Sequence, residues 1–268
     1  LAALRQPFAP GGQPTFLSDL TVGELVLLEE SGFRPLDIVS GAGSASWNPQ
    51  FTTAGTEGTR WGHAIAAAID GARSGVIEEM RSRGADGVVA MRVEFERERA
   101  NVLTCTMLGT AVHAIGRVPS GHAPTAPSAG AAPFVTTLSA RDFHLLLRAG
   151  YRPVGIALGV AVVGFAARSA AQSLGLARDN VELTDQTGAL YSAREKAMAM
   201  MEHEAAQLRS DGVVAVELQE RPVNALLTHA VEFVALGTAV CRGPRGHQPL
   251  HPELQLALDD PAGAPGGV

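Results

Sequence analysis

Apolar residues Ile65, Ile69, Ala72, Val76 and Met80 recur at steps of three and four. That spacing places them on one face of a long helix, expected near His63–Arg83. Leu190, Ala197, Met201, Ala205 and Leu208 predict a second long helix near Ala189–Arg209. Each pattern runs into the same word, DGVVA, at Asp86–Ala90 and again at Asp211–Ala215. There the period changes. Val89, Met91, Val93 and Phe95 alternate with polar residues, as do Val214, Val216 and Leu218, and alternation is the mark of a half-buried strand. Turns are expected near Arg99–Asn101 and Arg221–Asn224, each leading to a last strand that ends in GTAV.

Upstream, each long helix is preceded by a short one. Thr21 can cap the first, with Glu24 three residues on to complete a capping box, and Ser139 and Asp142 hold the same places in the second. Gly32 and Gly150 suit the left-handed residue that stops a helix. Arg34-Pro35 and Arg152-Pro153 then begin extended runs, Leu36–Ser40 and Val154–Leu158. The segments after these runs, Gly41–Trp61 and Gly164–Thr187, read as less regular inserts.

The chain therefore repeats itself. Phe16–Gly41 matches Phe134–Gly159 at 9 of 26 positions, offset by 118 residues. Ala72–Met91 matches Ala197–Val216 at 7 of 20, offset by 125, and LGTAV recurs at an offset of 128. The order of the blocks is unchanged, which predicts two tandem units, 16–116 and 134–242. Between them Arg117–Pro133 is rich in Pro, Ala and Gly and reads as a linker. Residues 243–268 read as a disordered tail, with Leu254–Leu258 inside it. Each unit is helix, strand, long helix and β-hairpin, an α+β arrangement in which helix covers one face of an antiparallel sheet.

Composition narrows the functional classes. The 268 residues carry 46% apolar and 18% charged side chains, enough apolar content for a packed core. Net charge is −6 and the only lysine is Lys196, so a nucleic-acid interface is not expected. The most apolar stretch, Ile156–Ala167, is too short for a membrane-spanning helix and reads as a buried strand. The opening residues lack a signal-peptide pattern, and two cysteines form no disulfide framework; both point to the cytoplasm.

The long helix AREKAMAMMEHEAAQLRSDGVVAV (Ala193–Val216), followed by a hairpin and LGTAV, resembles the YbjQ-type family, whose description is "putative heavy-metal-binding". EEMRSRGADGVVAM (Glu78–Met91) carries the same resemblance in the first unit. Gly84-Ala85-Asp86 matches the family's turn, whereas the second unit has Arg209-Ser210-Asp211 and loses the glycine. The resemblance implies a dodecin-like fold, rings of five units, and a divalent or soft metal ion as ligand. Two-unit chains cannot fill one five-membered ring. The resemblance then implies five chains forming two stacked rings, one from each unit.

Candidate chemistry is sparse. No C-x2-C or H-E-x-x-H occurs. His247 and His251 have H-x3-H spacing, but a proline lies between them. His113 and Cys241 hold equivalent positions just after GTAV, and a ring would gather such positions around its axis, so these two are the candidate metal ligands. Cys105 aligns with Phe233 and reads as a core thiol, while His203 and His229 read as surface positions on a helix and a loop. Asp86, Gly87, Asp211 and Gly212, with Gly84, read as structural turn residues. Glu79 and Glu204 recur on the long helix and read as solvated. The Gly-rich run Ser40–Ser46 reads as a flexible loop, and no nucleophile elbow or phosphate loop is present. The expected function is a non-enzymatic oligomer that binds a heavy metal or small ligand between subunits. The alternative is a ring or interaction scaffold without a ligand.

Overall fold

The computed structural model describes residues 16–46, 57–99, 102–115, 133–165, 184–225 and 228–243. The expected linker (apart from Pro133), most of the expected tail, and His247 and His251 lie outside them. The first unit comprises α1 (Val22–Glu30), β1 (Phe33–Ser46), α2 (Glu57–Ser82), β2 (Gly87–Arg99) and β3 (Val102–Ala114). The second opens with a two-residue strand, β4 (Phe134–Val135), and then repeats the order: α3 (Ala140–Arg148), β5 (Tyr151–Phe165), α4 (Thr184–Gln207), β6 (Gly212–Ala225) and β7 (Thr228–Arg242). The sheets run β1-β3-β2-β4 and β5-β7-β6, so the three long strands follow the same order in both units.

The local signals form as the residues dictate. Glu24 N–H donates to Thr21 Oγ1, and the Glu24 carboxylate accepts from Thr21 N–H, which completes the capping box of α1. Asp142 N–H donates to Ser139 Oγ. The Asp142 carboxylate, one methylene shorter, accepts from the Ser139 hydroxyl instead of from the cap backbone. Gly32 and Gly150 sit at φ +82° and +83°.

Four expectations need correction. Gly41–Ser46 is not a loop but the second half of β1, paired with Val102–Met107 of β3. The glycines are there for contact. A Cβ on Gly41 would lie 2.0 Å from the Ala72 carbonyl oxygen, and one on Gly43 2.0 Å from that of Ala68, so α2 rests directly on strand backbone. Gly159 meets the Ala197 carbonyl in the same way at 1.9 Å. Second, the long helices begin earlier than periodicity indicates, at Glu57 and Thr184. Third, the second hairpin does not turn at Arg221–Asn224: β6 runs through those residues to Ala225, which pairs with Thr228, and Pro222 pairs with Val231 inside β6, which tolerates proline as an edge strand. Fourth, Glu79 and Glu204 are not simply solvated. Each accepts a backbone N–H of the strand beneath, from Ser40 at 2.7 Å and from Leu158 at 2.6 Å, and so pins helix to strand.

The cores do not stop at the unit boundary. Ala157, Ala161, Ala235 and Ala239 face α4. The opposite face of the same sheet, Ile156, Leu158, Val160, Val234 and Leu236, joins the core formed by α2 and the first sheet. Arg73 on α2 also pairs with Glu204 on α4 at 2.5 Å. The two units pack as neighbours and share apolar surface.

Candidate functional site

Each unit has a corner where three strand ends meet: the start of its first strand, the start of the strand after the long helix, and the end of its last strand. DGVVA builds it. Asp86 N–H donates to the Val112 carbonyl, and the Asp86 carboxylate accepts Ala114 N–H at 2.9 Å. In the second unit Asp211 N–H donates to Val240, and its carboxylate accepts Arg242 N–H at 2.6 Å. The aspartates therefore lock the helix-to-strand turn onto the final strand, as their position before glycine predicts. Four residues on, Ala90 and Ala215 sit at φ +53° and +51°, where each strand slips register against its partner. A left-handed alanine at a bulge turns the following residues through a sharper angle.

The first unit's corner is filled. β4 pairs with β2 in parallel, Gly87 against Phe134 and Val88 against Val135. The contact continues past β4: Thr136 N–H donates to the Val88 carbonyl, Met91 N–H to Thr136, and Ala90 N–H to Leu138. The Phe134 ring covers Gly87, where a Cβ would come within 2.4 Å of it. It stacks on Phe143 at 5.4 Å and meets Phe33 edge-on at 5.8 Å. Such pairs contribute about 0.5–1.5 kcal/mol each beyond their burial. Helix α3 lies along α1, and the buried Ser31 hydroxyl bonds His144 Nδ1 at 2.9 Å. Burial pushes the His144 pKa down, partly opposed by the charge of Glu30.

Among the described residues, the second unit's corner is open. A groove of about 480 Å³ is lined by Leu146, Tyr151, Gly212, Val214, Val240 and Arg242, among others. A Cβ on Gly212 would meet nothing within 4 Å. Arg242 lies over the Tyr151 ring, its guanidinium 5.8 Å from the centroid.

Two comparisons with known proteins bear on this architecture. A family model described as "Putative heavy-metal-binding" matches residues 160–242. The encapsulin nanocompartment protein Rv1762c of Mycobacterium tuberculosis is 30% identical over 253 residues, which cover 92% of this chain and 93% of that protein. The chain belongs to the family of this mycobacterial protein.

The predicted metal ligands fall at these corners but are not brought together within the described chain. His113 Nδ1 lies 2.8 Å from Asp86 Oδ2, at an angle that makes no hydrogen bond, so the contact becomes an ion pair only when the ring is protonated. Cys241 donates instead to the Arg209 carbonyl at 3.1 Å. Arg34 stands opposite His113 in the ladder, and Arg152 opposite Cys241. Among the described residues no group of three His, Cys, Asp or Glu side chains is gathered. The first corner thus offers one nitrogen and one oxygen donor, a partial fit to a divalent ion. The second offers one sulfur with arginines beside it, a poor fit. Cys105 is a core thiol as expected, buried and pushed up to about 11 by desolvation. His203 is exposed on α4, also as expected, whereas His229 belongs to strand β7 and not to a loop. The groove, with Tyr151, Leu146 and Arg242, was not anticipated from the sequence. Its signal lay in the repeat itself, where Phe16 and Phe134 are the first identical pair.

Proposed function

We propose that this protein is a non-enzymatic, self-associating component of a protein nanocompartment. The observation that carries this reading is the near full-length match to an encapsulin nanocompartment protein. Nothing among the described side chains points to catalysis: the buried thiol is held protonated and the paired helix carboxylates bind strand backbone. No helix of the described residues is long and apolar enough to cross a membrane. The test is sedimentation of the chain expressed alone and together with an encapsulin shell. The chain is expected in the particle fraction with the shell; recovery only as small free species in both preparations overturns the reading.

The family model favours a second role for the same assembly, holding a heavy metal. His113 with Asp86 is the corner that suits it, and further ligands would come from another copy or from residues outside the described ones. Metal content of the purified assembly, compared with that of the His113→Ala, Cys241→Ser double variant, decides it. Stoichiometric metal that disappears in the variant supports binding, and an assembly equally metal-free in both is a scaffold without a metal.

A further inference from the structure

Inside one chain, the second unit's leading segment docks on the first unit's corner. The two units are built alike, so the chain carries one more leading segment and one more corner. The first unit's leading segment, Phe16–Val26, has no such corner to occupy, and the second unit's corner is the open groove. We infer that the groove at Gly212 receives Phe16–Val26 of a second copy of this chain, so that copies join head to tail through a repeat of the junction already present within each one.

Exposure follows this division. Phe134, Ala140, Phe143 and His144 are 0–7% exposed in the second unit. At their counterparts, Phe16 is 46% exposed, Val22 81% and Val26 51%, and Leu25 is half-buried. The receiving side corresponds as closely: Leu28, Phe33, Gly87, Val89 and Val112 become Leu146, Tyr151, Gly212, Val214 and Val240, every one of them lining the groove. The strand edge is available too, for β6 is the outer strand of its sheet among the described residues, where β2 carries β4.

The leading segment is also held in the same pose. Thr136 and Thr137 bond the Thr238 hydroxyl of their own unit, at 2.9 Å each. In the first unit Ser18 and Asp19 bond Thr110, the equivalent of Thr238. Each segment is therefore fixed to its own sheet with its phenylalanine facing outward.

Where the two junctions differ, the differences match across the interface. Ser31 and His144 share a buried hydrogen bond in the first junction. Their counterparts in the second are Ala149 and Val26, both apolar, so no polar group would be left unpaired. Leu147 and Ala114, in and against the first apolar cluster, become Glu29 and Arg242, of opposite charge. The Ser31–His144 pair has changed on both sides together, as it would if its counterparts met. The flank is more polar, with Ser40 and Thr106 standing for Leu158 and Val234, so the groove is the main contact.

Such a contact is heterologous: a series of copies closes into a ring or continues as a filament. A ring built this way alternates the two units. The inference deepens the self-association reading above, and the experiment separates the two. The mass of the intact chain is measured by light scattering and native mass spectrometry, with circular dichroism to verify folding. Phe16→Asp removes the donor, since a carboxylate cannot enter the aromatic site. Gly212→Leu fills the acceptor where the ring would lie. Each variant is expected to self-associate at least about a hundredfold more weakly than the wild type. An equimolar mixture of the two variants retains one sound junction and is expected to stop at a dimer containing one of each. A wild-type assembly whose mass neither substitution changes overturns the head-to-tail junction and leaves self-association standing. A wild type that stays monomeric overturns both. Assembly that appears only when residues 244–268 are removed assigns the groove to the chain's own tail and overturns the junction.

Discussion

Arg209 ends α4 at φ +54°, the place that Gly84 takes at φ +64° after α2. A side chain in the left-handed region costs about 1 kcal/mol relative to glycine. Arg209→Gly is therefore expected to raise stability by about 1 kcal/mol in chemical denaturation, and Gly84→Arg to lower it by as much. Reversed signs would mean that the backbone around Cys241, whose thiol bonds the Arg209 carbonyl, controls the helix end. The loss of the family's turn glycine was visible in the sequence. The left-handed Ala90 and Ala215 were not, because alanine gives no local sign of positive φ; only the register slip of the paired strand reveals it.

The glycines of β1 act between elements. Gly41 has no room for a methyl group against the Ala72 carbonyl, so Gly41→Ala must lift α2 from its strand. We expect a loss of about 3 kcal/mol, read as a lower thermal midpoint. Gly23→Ala is the contrast: its Cβ meets nothing, and it should gain several tenths of a kcal/mol from helix propensity. These glycines explain what was legible and what was not. The order of the helices and long strands, the caps and the helix-to-strand joint follow from short-range periodicity and backbone chemistry and could be read in the residues, whereas the two-residue β4 could not. Ser40–Ser46 could not, since a Gly-rich run looks the same as a loop or as a strand pressed against a helix. The groove was hidden for a related reason. Leu146, Tyr151, Gly212 and Val240 carry no chemistry of their own one by one, and only the filled corner beside Phe134 gives them a meaning.

At the scale of the whole molecule, the junction beside Phe134 buries a titratable group, His144. His144 is buried with its pKa lowered, chiefly by desolvation, while Glu30 raises it and Arg148 lowers it further. Above its ordinary value of 6.5 the ring is neutral folded or unfolded, and stability is complete. Below that value the unfolded chain takes up the proton first, so stability falls with pH until the folded pKa is passed. A Tm that drops as the pH falls below about 6.5, with a shallower drop in His144→Gln, is the expected result; an equal slope in the variant rules the group out. The same junction has a consequence in time. β4 and α3, which cover Phe33 and the edge of β2, belong to a part of the chain made later. Residues up to Ala114 complete the three long strands of the first sheet, yet Phe134 and Phe143 follow only after the linker. At about 5–20 residues per second the nascent first unit waits roughly 1–6 s with an uncovered strand edge and an exposed aromatic. A polysome carrying several such chains holds many unfinished edges close together, so crowding on the messenger is the moment at which this protein is most exposed to pairing with the wrong neighbour.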